Sequence, residues 1–143
     1  MLLGSAHAVD TTFLLTEPYR KQKLNVELPQ TLTIEQAAVL REAIDPIVRV
    51  IGGLSSVDPS PIARQHFLPG IEAKLRLPPM VDSPPPRRLI NIRKYDWDIS
   101  EVEIAVTVDF GWVRGKPIFT DRYIFKKVSE SWYFYGNAWD QPR

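Results

Sequence analysis

The sequence predicts an α+β domain in which N-terminal helices pack on one face of an antiparallel sheet. Apolar residues between positions 33 and 53 recur at steps of three and four, which is the period of an amphipathic helix. From Leu89 onward the period changes to two, which is the period of half-buried strands. Helices followed by strands that short turns connect are typical of the α+β class.

The composition is that of one ordered domain. The chain has 143 residues, of which 44% are hydrophobic and 24% are charged, enough for a sizeable core. Its formal net charge is +1, which argues against a nucleic-acid partner because phosphate binding usually needs a clear basic excess. The chain contains no cysteine, so disulfides, a thiol nucleophile and thiolate metal ligands are excluded. No apolar run reaches the roughly 18 residues that span a membrane.

Residues 1–32 are interpreted as an N-terminal arm that precedes a single domain at residues 33–143. Ala6 and Ala8 match the A-x-A pattern before a signal-peptidase site, although the basic and apolar parts of a signal are missing. Residues 1–8 are therefore either the tail of a secretory signal or an ordinary terminus. The first interpretation predicts a periplasmic or secreted protein, and the second a cytoplasmic one. The arm also contains a period-two pattern typical of a short edge strand, formed by Leu24, Val26 and Leu28.

The first helix is predicted to begin after Thr33, which has the spacing of a capping box with Gln36. Pro46 lacks an N–H group, so a kink or a break is expected near Asp45. Gly52-Gly53 supplies the C-terminal stop. The buried stripe is predicted at Ile34, Ala37, Leu40, Ile44, Ile47 and Ile51.

A second, shorter helix is predicted from Ser60, with Pro61 at its first position and Pro69-Gly70 dividing it. The proline-rich segment at residues 76–88 is predicted to be an extended connector, because proline suits neither a helix interior nor a central strand.

Four period-two segments are predicted in the C-terminal part of the chain, and the first is "LINIRKYDWDIS", with Tyr95, Trp97 and Ile99 on one face. In "EVEIAVTVDFGW" the apolar residues share one face, so Asp109 on the other face is expected to meet solvent. In "IFTDRYIFKKV" Asp121 shares a face with Phe119 and Tyr123. In "WYFYGNAW" Trp132 and Phe134 are assigned to the core, and the intervening tyrosines to the opposite surface.

This outline resembles the NTF2-like (cystatin-like) superfamily over residues 33–139. The segments that carry the resemblance are "TIEQAAVLREAIDPIVRVI", "SPIARQHFLPGIEAKL" and "DRYIFKKVSESWYFYG", the last being a long strand, a tight polar turn and a tryptophan that opens the final strand. The resemblance implies N-terminal helices packed on a curved antiparallel sheet, which together form a cone around a small-molecule cavity. It also implies dimerisation through the open sheet face.

The same superfamily includes isomerases, dehydratases, scaffolding domains of transport and secretion machines, and toxin-immunity proteins. Its enzymes use an Asp, often with His or Tyr, in an apolar cone. The resemblance therefore implies Asp121, His66 and Tyr123 as the catalytic candidates if the protein is an enzyme. The competing interpretation is a surface Asp121 paired with Arg122 or Arg114.

The leading hypothesis is a non-enzymatic binding or assembly module of a bacterial envelope or secretion complex. The alternatives are a small isomerase, dehydratase or cyclase with an Asp in the cone, and an immunity-type inhibitor. A protein partner or a second copy is expected on the open sheet face, or a small apolar ligand in the cone. The candidate contact residues are Tyr133, Tyr135, Trp139 and Trp112.

No cofactor and no metal are expected. The sequence has no phosphate-binding loop and no dinucleotide fingerprint, and its two histidines do not have metal-ligand spacing.

Overall fold

One long helix packs against a mixed β-sheet in the computed structural model, so the predicted α+β class is confirmed. The structure describes residues 10–15, 22–29, 31–54, 61–71, 89–113 and 116–138. The elements in chain order are β1 (Asp10–Leu15), β2 (Gln22–Glu27), α1 (Ile34–Gly53), α2 (Pro61–Arg64), β3 (Leu89–Ile92), β4 (Asp98–Ile99), β5 (Glu103–Val113), β6 (Lys116–Val128) and β7 (Ser131–Asn137).

The sheet is mixed, which corrects the prediction of a purely antiparallel one. Its spatial order is β1-β2-β3-β5-β6-β7, and β4 pairs with β5. β2 and β3 run parallel, with Leu24 opposite Ile90, whereas the other pairs of described strands are antiparallel. Parallel neighbours need a crossover connection, and here α1 and α2 lie in the chain between them. Two strands therefore precede the helices, contrary to the expected order of helices first and strands after.

Helix α1 has the predicted start and continues through its proline. Thr33 Oγ1 accepts a hydrogen bond from the Gln36 N–H at 3.0 Å, and Gln36 Oε1 accepts one from the Thr33 N–H at 3.1 Å, which confirms the capping box. The helix runs through Pro46 to Gly53, so the expected break near Asp45 is absent. A proline inside a helix costs about 3 kcal/mol, but burying each large aliphatic side chain contributes about 1.5–3 kcal/mol. The turns after the proline bury Ile47, Val50 and Ile51.

The core lies between α1 and one face of the sheet. Trp132 and Phe134 of β7 are buried in it, as the sequence predicts. Leu24 and Val26 of β2 are buried there too, so the N-terminal hairpin contributes to the same core. The alternating core positions of β5 and β6 are Ile104, Val106, Val108, Phe110, Tyr123 and Phe125.

The β6–β7 hairpin has a two-residue turn. Ser129 and Glu130 connect the strands with φ values of 49° and 70°, and Val128 pairs with Ser131. Both turn residues therefore occupy the left-handed region, as the right-handed twist of the paired strands requires. The predicted turn at 129–131 is confirmed, except that Ser131 already belongs to β7.

Candidate functional site

Asp121 lies on the core face of β6, opposite Val108, and is fully buried. Asn137 Nδ2 donates a hydrogen bond to one carboxylate oxygen at 2.6 Å, and the Arg122 backbone N–H donates to the other at 2.8 Å. The interpretation of Asp121 as a surface residue is therefore wrong. Its place in the strand alternation puts it on the side of Phe119 and Tyr123, where it is 0% exposed.

Tyr123 is buried two residues further along the same strand. Its ring packs edge-on against Phe110 and Phe134, with centroid distances of 6.1 and 5.5 Å. The Phe134 ring also contacts Phe67 at 5.2 Å and Phe125 at 5.4 Å. An aromatic cluster thus surrounds the Tyr123 ring, and such pairs contribute about 0.5–1.5 kcal/mol each beyond the area they bury.

His66 lies in the turn that follows α2. Its carbonyl accepts a hydrogen bond from the Phe134 N–H at 2.6 Å. Its charged neighbours are Asp45 and Arg49 of α1; burial lowers the pKa of the imidazole below 6.5, Arg49 lowers it further and Asp45 opposes both. The imidazole is therefore neutral at pH 7.

The three catalytic candidates occupy two different places. Asp121 and Tyr123 lie together in the core, where Asp121 meets Asn137 near the end of β7. His66 meets Phe134 of the same strand, and three residues of strand correspond to about 10 Å. No hydrogen bond or ion pair joins Asp121 to His66 within the described residues.

An open cleft of about 660 Å³ lies where α1 meets the β6–β7 hairpin. Lys127 donates a hydrogen bond to Glu42 at 3.1 Å and lies 3.9 Å from Glu130, and the bond to Glu42 raises the pKa of Lys127. Two carboxylates and one ammonium group leave an excess of one negative charge there. The cleft is lined by Glu42, Pro46, Gln65, His66, Glu130, Ser131, Trp132 and Tyr133.

Trp132 provides a buried polar group beside this cleft. The residue is only 4% exposed, and its indole N–H has no hydrogen-bond acceptor among the described residues. Buried donors are almost always paired in folded proteins. Trp132 thus lines the cleft while its indole N–H is buried, and the cleft also has a charged rim.

The predicted contact residues Tyr133 and Tyr135 lie half-buried on β7. Tyr133 is opposite Lys126, whose ammonium lies 3.8 Å from the centre of the Tyr135 ring. Tyr135 sits at an irregularity in the pairing of β6 with β7, and such bulges redirect side chains. Trp139 lies outside the described residues, as does the side chain of Trp112, whose backbone pairs with that of Pro117.

The outer face of the sheet carries a polar network. Arg93 donates to both oxygens of Asp109 at 2.8 Å, and the Thr120 hydroxyl donates to the same carboxylate at 2.6 Å. Asp109 is only 2% exposed, so the expectation that it meets solvent is wrong: neighbouring side chains cover it although it does point away from the core. Arg122 likewise donates to Thr107 and to the carbonyl of Asp96.

Sequence reasoning missed the charged rim of the cleft. Glu42 and Lys127 are 85 residues apart in the chain, and no local pattern connects them. The sequence feature that could have indicated part of this rim is "KKVSE", which places Lys127 and Glu130 beside a hairpin turn.

No three metal-ligating side chains cluster within the described ranges. None of the helices described is long and apolar enough to cross a membrane. Comparison of the chain with protein-family models, with curated proteins and with solved structures finds no match.

Proposed function

We propose that this protein is a non-enzymatic binding or assembly module of NTF2-like architecture that holds a protein partner. The observation that supports this best is the state of Asp121, which is buried and accepts two hydrogen bonds from Asn137 and the Arg122 backbone. A general base needs access to a substrate proton, and the Asp121 carboxylate is buried. His66 lies elsewhere, beside Phe134, so it is not positioned as an acid–base partner of Asp121.

The cleft beside the β6–β7 hairpin is the proposed contact site. It combines an aromatic wall at Trp132 and Tyr133 with the carboxylates of Glu42 and Glu130. Aromatic residues surrounded by polar groups are typical of protein interfaces. An immunity-type inhibitor of a toxin is one form of this proposal. Ala6 and Ala8 favour a bacterial envelope as the location, and both lie outside the described residues.

The test is affinity capture from the native source, with partners identified by mass spectrometry. Ser131 is exposed on the cleft wall, so Ser131→Arg should fill the cleft without disturbing the core. Ala38→Arg is the matched control, because Ala38 is exposed on α1 and does not line the cleft. We expect a partner that the wild type and Ala38→Arg retain and that Ser131→Arg loses. Equal capture by all three proteins would contradict a partner site in the cleft.

The second candidate is a small isomerase, dehydratase or cyclase. The observation that favours it is the position of Asp121 and Tyr123 together on the core face, where an apolar setting suits acid–base chemistry. Its test is untargeted metabolite profiling after incubation with a cell extract. An enzyme should deplete one metabolite, and Asp121→Asn should abolish that depletion; unchanged metabolite levels with the wild type would contradict the enzyme.

A further inference from the structure

Among the strands that the structure describes, β7 is the last of the sheet, with β6 as its one strand neighbour. Residues 66–68 cover part of the free side. The Phe134 N–H donates to the His66 carbonyl, and the Leu68 N–H donates to the Phe134 carbonyl at 3.0 Å. This short parallel bridge pairs the backbone N–H and carbonyl of Phe134.

The backbone groups of Trp132 point to the same free side. In an antiparallel ladder, hydrogen-bonded and non-hydrogen-bonded pairs alternate along the strands. Because the Lys127 N–H donates to the Val102 carbonyl at 2.9 Å, Lys127 faces β5 and does not exchange hydrogen bonds with its neighbour Trp132. Phe134, two residues further along β7, directs its N–H and carbonyl away from β6. Because alternate residues of a strand point the same way, Trp132 does so too.

The edge is open at this position among the residues that the structure describes. On the N-terminal side of the covering segment, Gln65 and His66 form the turn after α2 and line the same cleft as Trp132. Beyond the ladder, no hydrogen bond reaches the N–H or carbonyl of Trp132 in that part of the chain. Trp132 is also one of the residues that line the cleft, so its free backbone groups belong to a residue of the cleft wall.

We propose that the cleft binds an extended segment of a partner protein, which adds as a short strand to β7 at Trp132 and places a basic side chain against Glu130. This inference rests on the proposed binding function and specifies how the partner is held. In such pairing, main-chain hydrogen bonds supply affinity and side-chain contacts supply specificity. The basic side chain follows from the excess negative charge of the rim and from the 93% exposure of the Glu130 side chain.

The test uses the full chain labelled with ¹⁵N and a synthetic heptapeptide of alternating threonine and valine with a central arginine. Binding should shift the amide resonance of Trp132 and its indole N–H resonance, the latter assigned with Trp132→Phe. Two further peptides carry backbone N-methyl groups on alternate residues. One of them should bind at least about tenfold more weakly and the other normally, because alternate N–H groups face opposite sides of a strand.

Charge supplies the second readout. Glu130→Lys should weaken binding of the arginine peptide about two- to fivefold, which is the range of an exposed ion pair, and should improve binding of the matching glutamate peptide. Glu101→Lys is the matched control, because Glu101 is exposed outside this cleft, and it should leave both affinities unchanged.

Three results would overturn the inference: equal weakening by both methylated peptides, shifts confined to Tyr133, Tyr135 and Lys126, or no shift at millimolar peptide. If a native partner is nevertheless lost in Ser131→Arg, the proposed binding function stands and strand addition fails. If no native partner is captured either, both fail.

Discussion

Replacing Asp121 with alanine tests whether the buried carboxylate holds the fold together. Among the described contacts, the substitution removes the acceptor of two hydrogen bonds, those donated by the Asn137 side-chain amide and the Arg122 backbone N–H. An unsatisfied buried polar group costs about 1–3 kcal/mol, so the expected loss in free energy of unfolding is roughly 2–6 kcal/mol. At about 3 °C per kcal/mol for a chain of this length, Tm should fall by roughly 6–18 °C.

Urea unfolding followed by tryptophan fluorescence and by circular dichroism measures this loss. The double variant Asp121→Ala/Asn137→Ala removes acceptor and donor together, and it should be more stable than the sum of the single losses by about 0.5–3 kcal/mol. Asp98→Ala is the control. Its side chain is 82% exposed and contacts Arg122, and losing such a surface pair should cost less than about 1 kcal/mol. Additive losses, or an Asp121→Ala protein as stable as the wild type, would refute the structural role of this carboxylate.

Three further predictions concern the helix cap, the imidazole and the hairpin turn. Thr33→Ala removes the cap and should destabilise the protein by about 1 kcal/mol in thermal unfolding; a cost near zero would contradict the cap. For His66, the lowered pKa means that the unfolded chain binds more protons below pH 6.5, so stability should decrease as pH falls below that value. His66→Gln should reduce this loss of stability at low pH. A variant with the same pH profile as the wild type would contradict the assigned role of His66. Replacing Ser129-Glu130 by Asn-Gly should raise the unfolding free energy by about 1–2 kcal/mol, because asparagine and glycine adopt positive φ more readily than serine and glutamate. A lower Tm would count against the assigned turn.

The helix and the long strands could be predicted because local physics specifies them. Thr33 and Gln36 form their cap within one turn, and the alternation of β5 and β6 follows from burial on a single face. The path through Pro46 could not be predicted, since it depends on tertiary burial of Ile47 and Ile51 that outweighs a local cost.

The topology could not be read from the sequence. The parallel pairing of β2 with β3 joins segments as distant as Asn25 and Asn91, which are 66 residues apart. Nothing in the alternation of a single strand reveals the direction of its neighbour.

The candidate site was predicted only in part. The resemblance implied Asp121 and His66, and strand alternation indicated Tyr133, but the burial of Asp121 and its hydrogen bond with Asn137 depend on tertiary contacts. Asp109 shows the limit of alternation, because a side chain on the outer face can still be covered by Arg93 and Thr120. Alternation assigns a face and does not say what covers it.

The parallel pairing of β2 with β3 also constrains how the chain folds. β2 leaves the ribosome long before β3, so the strand that completes its pairing is missing during much of synthesis. Long-range pairing of this kind slows folding and leaves strand edges exposed in the meantime. Any fragment that ends before Leu89 lacks the strand that joins the N-terminal hairpin to the rest of the sheet. Until β3 has been made, β2 therefore has an unpaired edge, which is a site where other chains can associate.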